Sequence, residues 1–182
     1  EDPRCSFVRA VGRTSVPGFD LENPLSISSA AAELAVEAPY ELIVHAAGIL
    51  HRGEIKPERS YSEIDLNALH TVFQVNTFGP AMVLRYFLPL LSANGAMAML
   101  SAKVGSISDN RLGGWYTYRS SKAALNMLIK TAAIELARTK PKSRLLSLHP
   151  GTVISALSQP FRGSYAARPA SATAGELLSL ID

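Results

Sequence analysis

The chain has 182 residues, 47% of them apolar and 18% charged, with 18 Lys and Arg against 15 Asp and Glu. That length and balance suit one domain with its own core and exclude a disordered chain. The net charge of +3 is scattered, and no basic run interleaves with aromatics, so a nucleic-acid partner is not expected.

In chain order, Ser6 to Val11 reads as a short strand ending at Gly12–Arg13. An Ala-rich helix follows over Ser28 to Glu37, opened by a serine cap. Glu41 to Ala46, "ELIVHA", is a continuous apolar strand closed by Gly48. Asn67 to Leu91 is a long helix. Ala96 to Ser101, "AMAMLS", is a second buried strand, and Trp115 to Arg138 a second long helix. Arg144 to His149 is a further strand, closed by Pro150–Gly151, and Ser171 to Ile181 is helical. Continuous apolar strands between helices imply a parallel sheet covered on both faces. With right-handed crossovers, that is a single α/β domain with a doubly wound, Rossmann-like sheet, in which ligands sit outside the carboxyl ends of the strands.

Other features narrow the class. The apolar stretch Ala81 to Leu100 is broken by Arg85, Pro89, Asn94 and Gly95, short of the roughly 20 residues a membrane helix needs. No signal peptide or membrane partner is expected. A single cysteine, Cys5, allows no internal disulfide and suits a reducing cytoplasm. The four histidines, His45, His51, His70 and His149, lack metal-site spacing.

Each long helix carries one polar residue on an apolar stripe. Stepping from Tyr118 gives Lys122, Leu125, Ile129, Ala132 and Leu136, all apolar but the lysine. Lys122 either snorkels to water from the edge of the core or faces a ligand. The other stripe runs Leu69, Phe73, Asn76, Pro80, Val83, Phe87, Leu90. Pro80 has no N–H to give the Asn76 carbonyl, so this turn is either a plain kink or a carbonyl freed to hold a water in a site.

Four ordered motifs resemble the short-chain dehydrogenase/reductase family. They are "LIVHAAGI", "VNTFGP" with Asn76, "YTYRSSK" with Tyr118-x-x-x-Lys122, and "HPGTV". The stretch from Leu100 to Asn126 further resembles the C-factor and sniffer-like carbonyl reductase branch. The resemblance implies hydride transfer between a nicotinamide dinucleotide and a small carbonyl or alcohol substrate. Tyr118 would be the acid/base, Lys122 would hold the nicotinamide ribose and acidify the phenol, and Asn76 would position a relay water. Ser101, with Ser106 in reserve, would bond the substrate carbonyl. Bringing a phenol from ~10 to ~7 takes roughly 4 kcal/mol, which one cation about 4 Å away supplies at an effective dielectric of about 20. On the same basis Ala46, Ala47 and Gly48 would pass the adenosine side of the cofactor. Pro150, Gly151, Thr152, Val153 and Ser155 would serve its carboxamide and phosphates, and residues 159–171 would form a substrate lid. The two long helices would offer a homodimer surface.

The chain departs from that pattern in three ways. Ala102 stands where the family usually has its serine, and His45 and Ala46 replace two asparagines. His45 reads as a packed strand-end residue. The glycine-rich phosphate turn and its strand and helix are absent, so the chain reads either as a fragment of a product about 50 residues longer or as a non-catalytic, Rossmann-like binding or signalling protein. The ends favour a fragment, truncated on both sides. Arg13, at the end of the strand expected over Ser6 to Val11, fits a ribose 2′-phosphate and favours NADP(H) over NAD(H), with Asp20 bordering the adenine.

Overall fold

The computed structural model describes residues 5–161 and 166–181. Its centre is a three-stranded, all-parallel sheet in the order β1 (Tyr40–His45), β2 (Leu91–Leu100), β3 (Arg144–Leu148). Five α-helices surround it: α1 (Pro24–Leu34), α2 (Leu66–Phe73), α3 (Gly79–Phe87), α4 (Tyr116–Thr139) and α5 (Ala170–Ile181). The register runs evenly from Leu42↔Ala96 to His45↔Met99 and from Ala96↔Arg144 to Leu100↔Leu148. β2 is therefore central, and the ends His45, Leu100 and Leu148 lie side by side.

Side chains along β2 alternate between the two faces, as strand geometry requires. Met97 and Met99 join the main core with Val83 and Phe87 of α3 and Leu125 and Ile129 of α4. Ala96 and Ala98 belong to a second cluster, with Ile181 of α5. Both faces are thus covered, as expected for a doubly wound sheet.

The expected long helix Asn67 to Leu91 is one helical run with a defect. α2 passes into a π-turn over Gln74–Phe78, α3 follows, and a 3₁₀ turn over Leu88–Leu90 ends it. The widening falls where Pro80 removes a donor and lets the ladder slip by one residue. Gly79 is needed there, because a Cβ would lie 2.7 Å from the Cβ of Leu21. The helix expected from Ser28 instead starts at Pro24. Asn23 caps it, accepting from the N–H groups of Leu25 and Ser26, and Pro24 takes the first-turn position that needs no donor.

The strand expected over Ser6 to Val11 does not form. The segment has no regular secondary structure, with Phe7 and Val8 exposed and the Phe7 ring 6.2 Å from that of Tyr40. Backbone pairing needs a neighbour at strand spacing, and the outer edge of β1 carries none among the described residues. A cleft of about 820 Å³ lies between this segment and β1. It is lined on one side by Arg9 to Arg13 and Phe19 to Glu22, and on the other by Leu42 to Ile49. Of the proposed lid over 159–171, residues 162–165 lie outside the described residues.

Candidate active site

The carboxyl ends of the three strands deliver the site. After β1 the chain runs through Ala46, Ala47 and Gly48 to Ile49, and Asn76 grips it there. The Asn76 side-chain oxygen accepts the Ile49 N–H at 2.8 Å, and its Nδ2 donates to the Ile49 carbonyl at 2.8 Å and to Ser121 Oγ at 3.1 Å. Thr77 Oγ1 donates to the Ser121 carbonyl at 3.0 Å. The π-turn is thereby pinned to the second turn of α4. Asn76 is fully buried, which is affordable because both ends of its amide are paired.

Lys122 is not at the edge of the core. It is 4% exposed, and its Nζ donates to the Leu100 carbonyl at 3.1 Å, at the end of β2. Gly48 lies opposite. A Cβ on it would sit 3.2 Å from Asn76 Oδ1 and 3.3 Å from Lys122 Nζ, so both polar tips converge on this one backbone position. Gly105 plays the matching part on the other side, where a Cβ would come within 2.9 Å of the Cβ of Lys122. The two odd residues of the two stripes meet at a single place.

Tyr118 lies one turn before Lys122 and is 9% exposed; Lys122 Nζ sits 5.9 Å from its ring centroid. The expected acidification of the phenol is not what this arrangement gives. Burial pushes the Tyr118 hydroxyl up to about 12, and burial lowers the Lys122 ammonium to about 8. Removing the phenolate from water outweighs a cation that stands over the ring and spends a proton on a carbonyl.

Ser101 follows β2 and is 7% exposed. Its N–H donates to the Leu148 carbonyl at 2.8 Å, while its buried Oγ has no partner. The reserve candidate, Ser106, is engaged in a turn, accepting from the Asp109 N–H at 3.3 Å. His45 is buried as expected, but its Nε2 also lacks a partner. Burial, then the nearby Lys122 charge, lowers its imidazole to about 4, so the ring is neutral at pH 7.

Arg13, Asp20, Ala46, Ala47 and Gly48 all line the cleft beside β1. Arg13 is exposed there, and Asp20 accepts the Glu22 N–H at 3.0 Å. Tyr118, Lys122 and Ser101 are not part of that lining; the two regions touch at Gly48 and Ile49. The loop after β3 stands apart from the cleft as well. Gly151 is left-handed at φ 71°, the Thr152 carbonyl accepts the Arg168 N–H, and the Val153 carbonyl accepts from Ser158. The Ser155 hydroxyl makes bonds within the same loop, to Val153 and Ser158, and Pro150 is half-buried. These carbonyls and this hydroxyl are engaged locally.

Two residues that the sequence did not single out shape the entrance. Trp115 precedes α4 at φ 53°, a left-handed conformation that costs a bulky residue on the order of 1–2 kcal/mol. Glu58 holds it there. Its carbonyl accepts the Trp115 N–H, and its buried carboxylate accepts the Thr117 N–H at 3.2 Å and the Thr117 hydroxyl. The carboxylate thus serves the first turn of α4 from 59 residues away. The Gly113–Gly114 pair before a lone tryptophan was the available signal for Trp115. Glu58 gave none, because its partner is set only by the fold.

A family model described as enoyl-(acyl carrier protein) reductase matches residues 5–175. A 1-hydroxy-2-glutathionyl-2-methyl-3-butene dehydrogenase of Rhodococcus sp. (strain AD45) is 32% identical over 175 residues, covering 95% of this chain and 74% of that protein. Among solved structures, the carbonyl reductase Sniffer of D. melanogaster superposes with a TM-score of 0.77 at 26% identity, over 90% of this chain and 68% of its own. A short chain dehydrogenase from Escherichia coli CFT073 complexed with NADPH gives a TM-score of 0.73 at 25% identity, with the same two coverages. The parallel sheet, the Tyr118–Lys122 turn meeting Asn76 at the strand ends, and these matches agree, and the chain belongs to the short-chain dehydrogenase/reductase family of oxidoreductases.

Proposed function

We propose that the chain carries the catalytic body of an NADP(H)-dependent carbonyl reductase acting on small carbonyl or alcohol substrates. The observation that carries this reading is the convergence of Lys122 and Asn76 on Gly48, with the Tyr118 ring 5.9 Å from Lys122 Nζ and the unpartnered Ser101 Oγ on the neighbouring strand end. The residues fit a dinucleotide. The cleft has room beside β1, Arg13 can meet a 2′-phosphate, and Gly48 leaves a surface that any side chain would fill. When bound, the cofactor supplies or accepts the hydride.

The chain's own residues handle the proton and the orientation. The Tyr118 hydroxyl makes no hydrogen bond among the described residues, and at about 12 it stays protonated at neutral pH. That is the form needed to give its proton to a carbonyl oxygen as negative charge develops there. Ser101 Oγ can donate a second hydrogen bond to the same oxygen, which would satisfy a buried group that is otherwise orphaned. Lys122 offers the ribose hydroxyls a donor and re-protonates the tyrosine side through a water held near Asn76. Gly151, Thr152 and Val153 offer N–H groups to a carboxamide, with Pro150 setting the turn and Ser155 a hydroxyl. Exposed Leu66 and Phe78 on one helical run, and Met127 and Ile134 on the other, supply apolar surface for a homodimer. A sedimentation mass of one 19.5 kDa chain would remove that part.

The test is loss of NADPH absorbance with a panel of aldehydes and ketones. Tyr118→Phe is expected to lower kcat about 10²- to 10⁴-fold, the range for a lost general acid. Undiminished turnover in that variant would overturn the mechanism.

A further inference from the structure

The Tyr118 ring stands at one end of a run of aromatic rings. The Trp115 indole stands edge-to-face on the Tyr118 ring, with centroids 6.2 Å apart at 74°. On its other side it stands edge-to-face on Phe161, at 5.7 Å and 69°. The His51 ring lies 5.4 Å from Phe161, and its Nε2 is 3.3 Å from the Ala156 carbonyl, which fixes the ring plane. These residues come from three separate parts of the chain: the loop after β1, the entry to α4 and the loop after β3. Trp115, Phe161 and His51 are all half-buried, whereas Phe87 of the main core is covered. Each of the three therefore keeps part of its surface uncovered, in a run of rings that begins at Tyr118.

The backbone shows that this placement is built. Trp115 is the one described residue other than glycine with positive φ, and it follows two left-handed glycines, Gly113 and Gly114. Glu58 fastens it through the carbonyl bond to the Trp115 N–H and the carboxylate bonds to Thr117. With a relaxed backbone the indole would leave Tyr118. Backbone strain held by a buried acid, at the residue packed on the Tyr118 ring, marks a functional position.

We propose that Trp115, with Phe161 and His51, forms an aromatic wall that selects carbonyl substrates bearing a flat aromatic ring, and that Glu58 is the positioning residue that sets it. This rests on the carbonyl-reductase reading and names the substrate class for it. Planar rings meet the edges and faces of these side chains, and a saturated ring of the same size loses that match. The phenol and Ser101 hold the carbonyl oxygen while the substrate ring lies against the wall.

The experiment pairs benzaldehyde with cyclohexanecarbaldehyde, which share the reacting group and differ in the ring. kcat/KM is expected to favour benzaldehyde about tenfold, carried mainly by KM. In Trp115→Asn, which tolerates the left-handed backbone but lacks the ring, the ratio should fall to near one. Glu58→Gln should lower the ratio partway. Equal kcat/KM for the two aldehydes in the unaltered chain would overturn the wall and leave hydride transfer standing.

A second measurement needs no turnover. Trp115 is the only tryptophan in the chain, so its emission reports on the wall directly. Titration with benzyl alcohol should change that emission saturably, with cyclohexylmethanol about tenfold weaker. That result with no NADPH consumption on any aldehyde would sink the reductase reading and keep the aromatic site. No emission response to benzyl alcohol, or the same response to both alcohols, would overturn the site.

Discussion

The two sides of β1 are built differently. On the β2 side, a set of buried polar groups is paired: Asn76 to Ile49 and Ser121, Thr77 to Ser121, Lys122 to Leu100. On the outer side, Arg9 to Arg13 run without a strand partner past a cleft of about 820 Å³, tied at Arg9 by an exposed ion pair to Glu37 and at Gly12 by turn bonds to Ser15 and Phe19. Exposed pairs of this kind contribute little. The side that would do the chemistry is thus preorganised by backbone-directed bonds, while the side that would hold the adenosine half depends on loosely held chain. Positioning to a fraction of an ångström matters for proton transfer and much less for a ribose phosphate gripped by an exposed arginine.

Breaking the ordered side should have the largest effect. Asn76→Ala strips the Ile49 N–H and carbonyl and Ser121 of their partner inside the core. The expected loss is about 4 kcal/mol of unfolding free energy by denaturant titration, the sum of several unsatisfied buried groups. A loss under about 1 kcal/mol would mean that the clamp is not structural.

The next effect is pH-dependent. His45 is held near 4 in the folded chain against an ordinary 6.5. The unfolded chain therefore binds the extra proton first as pH falls. The stabilisation from the neutral ring is present above pH 6.5 and is lost as pH drops toward 4. From pH 7 to pH 5 this group should remove about 2 kcal/mol, and His45→Gln should lack that increment. Parallel pH curves for the two proteins would show that His45 titrates normally.

The smallest effect belongs to the loose side. Arg13→Ala should raise KM for NADPH about tenfold, roughly 1.4 kcal/mol, and leave KM for NADH nearly unchanged. An equal change with both cofactors would remove Arg13 from the 2′-phosphate. Together the three variants separate a clamp, a buried neutral ring and a surface contact.

Much of this was legible in residue order. The helical step from Tyr118 to Lys122 and the lone Asn76 on its stripe marked the two helices that meet at Gly48, because periodicity fixes which side chains share a face. The apolar runs at β1 and β2 and the Pro150–Gly151 stop located the strand ends. The unformed strand at Ser6 to Val11 was not legible, since its residues have the right pattern and only a neighbouring edge could pair them. Nor was the direction of the Tyr118 shift, which depends on how deeply the phenol is buried against how near the ammonium stands.

The sequence by itself determined the alternation of strands and helices, the parallel sheet and the candidates for the reactive groups, because all of these follow from local periodicity and side-chain chemistry. Only the tertiary structure decided which polar groups are satisfied. Asn76 became a clamp, Ser101 Oγ and His45 Nε2 were left without partners, and Glu58 came to hold Trp115 left-handed. Those outcomes rest on contacts between residues far apart in the chain and on the water that burial excludes, and no local pattern encodes either.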